Sequence, residues 1–177
     1  MAKGIRMAAN SLPGPDPIII RPAVPDDAEA VHAAIVKMAG GAADRIGSAP
    51  EDLRRHGLGP HKAFSGLIAE IGGEFAGMCL YFPSFSTWRG TSGVYVQDLF
   101  VEPRFRGRNI GERLIRRLAS LTREQGGTYL RLAVDVDNVS AQAFYERLGI
   151  VRYPADRIHA AYDDAFQALC ERGGELP

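Results

Sequence analysis

Val94-Tyr95-Val96-Gln97-Asp98-Leu99-Phe100-Val101, continuing into Glu102-Pro103-Arg104-Phe105-Arg106-Gly107-Arg108-Asn109-Ile110-Gly111, is the stretch that decides the fold. Its first half is rich in β-branched and aromatic residues, the composition of a buried strand. Glu102 to Arg108 reads as an arginine-rich turn. From Asn109 to Gln125, Ile110, Leu114, Ile115, Leu118 and Leu121 keep helical spacing, and Gly126-Gly127 stops the helix. A strand therefore runs through a tight turn directly into a helix. The first turn of a helix leaves backbone N–H groups without partners and carries a partial positive charge, so a pyrophosphate can dock there. Close approach needs positions without bulk, met by Gly107 and Gly111, and a backbone tolerant of positive φ, met by Asn109. Arg104, Arg106 and Arg108 add charge for phosphates. Taken alone, such a turn is equally a basic surface entry to a helix.

On either side of this stretch strands and helices alternate. Ile18 to Arg21 reads as a short strand, and Pro25-Asp26-Asp27 opens a helix with Val31, Ala34, Ile35 and Met38 on one face. Gly40-Gly41 ends that helix, and a second runs from Glu51 to His56. Strands over Ala63 to Ile71 and Glu74 to Phe82 meet at Gly72-Gly73, a hairpin signal. Pro83 to Gly93 reads as a loop carrying Trp88. After the central helix come a strand over Thr128 to Val134 and a helix over Val139 to Leu148. Strands over Ile150 to Tyr153 and Arg157 to Tyr162 and a helix near Asp164 to Cys170 complete the reading. The expected class is α/β, with strands outnumbering helices. Residues 1–17 read as a flexible leader, 18–172 as one domain and 173–177 as a tail.

The bulk properties narrow the partners. The chain has 177 residues, 46% hydrophobic and 24% charged, enough for one soluble domain with a real core. Lys+Arg and Asp+Glu are both 21, so no general field grips nucleic acid or an anionic membrane. Neither is expected as a partner. Cys79 and Cys170 lie far apart and form no CxxC pair, so no metal site is expected and no disulfide framework. The only apolar run near the N-terminus, Ile18-Ile19-Ile20, is too short for a signal segment or a span, which points to the cytoplasm.

Arg106-Gly107-Arg108-Asn109-Ile110-Gly111 resembles the acetyl-coenzyme A loop of the GCN5-related N-acetyltransferase (GNAT) superfamily, whose pattern is Gln/Arg-x-x-Gly-x-Gly/Ala, with Asn109 in place of a glycine. Asp137-Asn138-Val139-Ser140-Ala141-Gln142-Ala143-Phe144-Tyr145-Glu146-Arg147-Leu148-Gly149 looks like its second hallmark, an asparagine before a helix ending in Phe-Tyr-x-x-x-Gly. Ile20-Arg21-Pro22-Ala23 matches the usual first strand, so the resemblance spans Ile18 to Tyr162. Asp52-Leu53, Gly57-Leu58-Gly59, Ser86-Thr87-Trp88-Arg89-Gly90 and Tyr95 to Val101 look most like the spermidine/spermine (diamine) branch. The resemblance implies a mixed, mostly antiparallel central sheet flanked by helices, splayed open for the cofactor's pantetheine arm. It also implies acetyl transfer from acetyl-coenzyme A to a small-molecule amine by a homodimeric enzyme.

Carried onto this chain, the resemblance assigns the cofactor to Leu99, Phe100 and Val101, to Arg106, Gly107, Arg108, Asn109, Ile110, Gly111 and Glu112, and to Asn138, Ala141 and Tyr145. Tyr145 would protonate the leaving thiolate, or else be a packed helix tyrosine. Asn138 would bond the cofactor arm, or simply cap its helix. Where the branch commonly has a glutamate base, this chain has Gln97, which cannot take a proton. Asp98 is the candidate replacement, acting through water, or a carboxylate that fixes a turn. The acceptor amine is assigned to Gln97, Asp98, Trp88 and Ser86, the last standing where the branch has an aspartate, with Trp88 packing on the substrate's methylenes or else only pinning its loop. Asp44 is the lone acid between Gly40 and Pro50, and Arg54-Arg55 makes the second helix basic. No cysteine or serine stands beside a histidine in a nucleophile setting, so direct attack is expected rather than an acyl-enzyme. Two other classes remain open, a protein amino-group acetyltransferase and a non-catalytic acetyl-coenzyme A-binding module or sensor.

Overall fold

The computed structural model of the chain describes residues 16–60, 62–154 and 158–173. They fall into two compact units, one ending at Ala133 and the other beginning at Val134. In the first, β1 (Ile18–Pro22), β2 (Ser65–Ile71), β3 (Glu74–Ser86), β4 (Thr91–Val101) and β5 (Tyr129–Leu132) form one sheet in the order β1-β2-β3-β4-β5. The first four strands are antiparallel, and β5 joins β4 in parallel. A parallel neighbour needs a crossover, here α3 (Ile110–Glu124). The hairpin between β2 and β3 turns at Gly72 and Gly73, with φ of +56° and +79°, where a side chain would be strained.

Strand alternation sorts the helices onto two sides. Ile68, Met78, Leu80 and Phe100 pack with Val31 and Ala34 of α1 (Ala28–Ala39) and with Leu53 of α2 (Pro50–Leu53). Leu67 and Cys79 have the opposite parity and face the other side. There α3 buries Ile110, Leu114 and Leu118, with Ile110 reaching Gly77 of β3. Each such side chain, fully removed from water, contributes about 1.5–3 kcal/mol. Arg21 on β1 donates to both carboxylate oxygens of Asp27 at 2.7 Å and to Glu70 of β2 at 2.6 Å. Asp27 also accepts the Val24 N–H at 2.7 Å, fixing the turn that enters α1. Burial works to raise the Asp27 pKa. The bonds from Arg21 and Val24 and the charge of Arg21 outweigh it and hold the carboxyl below its ordinary range.

The second unit carries α4 (Val139–Arg147) and α5 (Asp163–Gly173). No strand forms over Ile150 to Tyr153 or over residues 158–162, where two were expected from the sequence. Short apolar runs such as these read alike as strand or irregular chain, and pairing decides between them. Among the described residues the strands therefore number five, matched by five α-helices, so strands do not outnumber helices. The expected loop over Pro83 to Gly93 shrinks to residues 87–90, because β3 and β4 pair as far as Ser86 and Thr91. Residues 1–15 and 174–177, which hold most of the expected leader and tail, lie outside the described residues.

Candidate active site

The register of β3 against β4 slips in mid-strand. Leu80 pairs with Asp98 and Tyr81 with Val96, so Gln97 is an extra residue, a β-bulge. In a regular strand neighbours point to opposite faces. The bulge breaks that rule, and Gln97 and Asp98 both border one cavity of about 270 Å³. Ile35 of α1, Leu53 of α2, Ala63, Phe64, and Leu80 and Phe82 of β3 form the rest of its wall. Among the described residues Asp98 carries the only charge on that wall. Burial raises its carboxyl pKa, bringing it closer to neutrality than an exposed aspartate. Burial and the Asp98 charge also push the Cys79 thiol up to about 12, so it stays protonated and is no thiolate nucleophile.

The bulge opens the sheet on its other edge as well. β5 pairs with β4 only from Gly93↔Tyr129 to Val96↔Leu132. Among the described residues Gln97 to Val101 have no strand partner on that side, which leaves the Leu99 backbone open to a ligand. Leu99 is half-buried opposite Cys79, and the Phe100 ring is in the core.

The turn after β4 has the shape that a phosphate group needs. Gly107 has φ of +77°, and a side chain built there would meet nothing within 4 Å. Asn109 has φ of 59° and ψ of 21°, left-handed as its residue type allows, and its carbonyl accepts the Arg113 N–H at 3.0 Å. Ile110 and Gly111 are buried in the first turn of α3, and Glu112 pairs with Arg116 at 2.7 Å. The arginines differ: Arg104 binds Glu74 at 2.6 Å, Arg106 donates to the Val101 carbonyl at 3.3 Å, and Arg108 lies over the Phe105 ring. Open space at Gly107, a left-handed Asn109 and the unpaired edge of β4 fit a pyrophosphate with an extended arm, as in acetyl-coenzyme A.

The remaining assigned residues lie on other elements. Asn138 caps α4, its Oδ1 accepting the Ala141 N–H at 3.1 Å and the Ser140 hydroxyl at 3.0 Å. Tyr145 is half-buried on α4, edge-on to Phe144 at 5.1 Å. Asn138, Ala141 and Tyr145 all belong to the second unit. Ser86 and Trp88 do not border the cavity. Ser86 lies four positions along β3 from Phe82, roughly 13 Å at strand rise, and Trp88 is 99% exposed at the hairpin tip. Asp44 is exposed and also outside the wall. Arg54 is held by Glu29 at 2.5 Å, Glu51 at 3.2 Å and the Pro25 carbonyl at 3.3 Å, so it braces the two helices.

Sequence reasoning missed the apolar wall. Ile35 and Leu53 read only as helix-face residues, and nothing in their spacing distinguishes a cavity wall from a core. Phe64 carried one signal, Gly57, whose missing side chain leaves room for its ring. Among the described residues no helix is long and apolar enough to cross a membrane. Nor does any group of three or more His, Cys, Asp or Glu there have the placement to hold a metal.

Comparison with known proteins follows the same lines. The chain is similar to the thialysine N-epsilon-acetyltransferase of Bos taurus, 37% identical over 114 residues. That match covers 60% of this chain and 66% of the bovine protein, just under two thirds of its length. The protein of that name from Caenorhabditis elegans is 38% identical over 91 residues, covering 51% of this chain and 56% of that one. Among solved structures, an integron cassette protein from V. cholerae superposes with a TM-score of 0.75 at 16% identity, over 87% of this chain and 98% of that one. The ribosomal-protein-alanine N-acetyltransferase of Brucella melitensis gives 0.68 at 18%, over 83% and 100%. At such identities they speak for the fold alone. The profile of the acetyltransferase (GNAT) family matches residues 42–150, from just after α1 through the bulge and the turn after β4 to just past α4, and the chain belongs to that family.

Proposed function

We propose that this protein is an N-acetyltransferase that moves an acetyl group from acetyl-coenzyme A to the primary amine of a small molecule by direct attack. The observation that carries the reading is Asp98, a carboxylate with a burial-raised pKa in an otherwise uncharged cavity beside the open edge of β4. The thialysine N-epsilon-acetyltransferases similar to this chain support an amine on a small molecule as the acceptor.

Acetyl-coenzyme A would supply an activated acetyl group. The Gly107 to Gly111 turn would hold its phosphates, and the backbone of Leu99 and Phe100 its arm. Asp98 would hold the cationic form of the amine by charge and take up its proton, directly or through a water, and its raised pKa brings it closer to the working pH. Gln97, at the bulge, would orient the amine or that water by hydrogen bonding. Tyr145 would hold a transferable proton at Oη for the departing thiolate, a role supported by its place in the Phe-Tyr motif. Cys79 and Cys170 are free thiols, consistent with work in a reducing cytoplasm. The enzyme would act as a homodimer.

Because the cavity has one carboxylate, spermine should be a poor acceptor compared with an amine bearing a single cation at its reacting end. A thiol-release assay over spermine, a short diamine, lysine and thialysine tests this. The expected result is a catalytic efficiency for lysine or thialysine at least ~10-fold above that for spermine, as one forfeited charge-assisted bond costs about 1.5–3 kcal/mol. Preference for spermine overturns the acceptor assignment, and no turnover with any amine overturns the enzyme itself.

A further inference from the structure

The wall of the Asp98 cavity contains a contact that the reaction does not require. After Leu53 the α2 helix continues as one π-helical turn, Arg54–Leu58, in which Gly57 and Leu58 are buried. Such turns are rare and occur often at functional sites. The Ala63 N–H donates to the His56 carbonyl at 2.6 Å, folding the entry to β2 back onto this turn. Phe64, the next residue, is half-buried, with its ring directly against Gly57. A Cβ at 57 would stand 1.9 Å from ring atom Cζ and 2.1 Å from Cε2, well inside van der Waals contact. The ring can occupy this seat only over glycine.

The same ring borders the cavity, together with Ile35, Leu53, Leu80 and Phe82. Six of the eight wall residues are apolar, Gln97 is neutral and Asp98 alone is charged. At about 270 Å³ the space falls just below the range of roughly 300–1,000 Å³ typical for drug-sized ligands. Apolar walls with one carboxylate accept an aliphatic stem carrying one ammonium, and a second cation on the stem would meet no second carboxylate on the wall. Leu53, Leu80 and Phe82 are fixed by helix and sheet pairing. Phe64 precedes β2, and its position depends on the glycine under it.

We propose that Phe64, seated on Gly57 in the π-helical turn, is the specificity-determining wall of the acceptor cavity and limits it to an amine on a short, unbranched alkyl stem. This rests on the acetyltransferase reading above. Phe64 takes no part in the chemistry, and Gly57 acts through Phe64. Removing the ring lengthens or widens the cavity. Adding a methyl at 57 drives the ring off its seat toward the space it borders.

The test measures kcat and KM for propylamine, pentylamine and octylamine in the wild type, Phe64→Ala, Gly57→Ala and the double variant. Acetyl-coenzyme A KM and a thermal melt are followed in each. Phe64→Ala should raise the octylamine-to-propylamine efficiency ratio by about tenfold or more, since a single methylene accommodated in an apolar pocket is worth ~10-fold. Gly57→Ala should raise the KM for every amine and lower that ratio, with acetyl-coenzyme A KM unchanged. In the Phe64→Ala background the methyl meets no ring, so Gly57→Ala should there change the ratio less than twofold, a coupling that a purely structural role would not produce. If Gly57→Ala fails to fold, the more conservative Phe64→Leu takes its place and should give a ratio between wild type and Phe64→Ala. An active wild type whose ratio is the same in Phe64→Ala overturns the wall assignment alone. A wild type that acetylates none of these amines, lysine or thialysine overturns the acetyltransferase reading with it.

Discussion

At Asp98 the proposed role and stability pull in opposite directions. Burial raises the folded-state pKa of this carboxyl above its unfolded value. The stabilising contribution of such a group is full below the unfolded pKa and is lost as pH rises through the folded pKa, so at pH 7 the ionised form is a cost. Asp98→Asn should therefore raise the melting temperature at pH 7, and the gain should shrink as pH is lowered to about 4. The same variant should lose the acid limb of the kcat/KM profile along with most of its activity. A variant less stable than wild type at pH 7 would show that the carboxylate makes a favourable contact in the fold. Tyr145 is the second residue whose proposed role can be separated from its packing. Tyr145→Phe keeps the edge-on ring packing with Phe144 and deletes only the proton. Its kcat should fall ~100-fold or more with acetyl-coenzyme A binding retained, as for loss of a general acid. An unchanged kcat, where chemistry limits turnover, would mean that the thiolate leaves unaided.

Among the elements, β4 and α3 act together. The bulge at Gln97 and the early end of β5 free one edge of the strand, and the turn from Glu102 to Asn109 presents the start of α3 beyond it. A ligand that bridges both should stabilise the folded chain by mass action, roughly 2.7 kcal/mol at ~100 times its dissociation constant. Acetyl-coenzyme A should accordingly raise the melting temperature of the wild type. Gly111→Asp should remove most of that shift, because it adds bulk and negative charge in the buried first turn of α3. Gly111→Ala serves as the control for bulk alone. A wild-type melt unmoved by acetyl-coenzyme A would reject the phosphate site.

For the whole molecule the open matter is association. Val136, Val139, Ile158, Phe166 and Leu169 of the second unit are exposed, Phe166 at 54% and Leu169 at 62%, and the last two share a face of α5. A pair of large apolar side chains exposed on one helix face suits a surface that meets another chain. Light scattering at micromolar concentration should give twice the 19.2 kDa chain mass, and Phe166→Glu with Leu169→Glu should shift it toward the monomer. A wild type of monomer mass rejects the homodimer.

What the sequence determined by itself was local: the hairpin at Gly72-Gly73, the strand into the Gly107 turn, the left-handed Asn109 and the helix after it. Each depends on backbone freedom or on periodicity within a few residues, which residue type alone constrains. The tertiary structure decided the rest. Whether Ile150 to Tyr153 becomes a strand depends on an available edge, which no local pattern encodes. That Arg54 braces α1 against α2 follows from Glu29, distant in sequence. The cavity is assembled from α1, α2, the entry to β2, β3 and β4, and its one charge is aimed by a register slip between β3 and β4. Register is a property of a strand pair rather than of either strand, so the side chains that share the Asp98 cavity were fixed only once the sheet had formed.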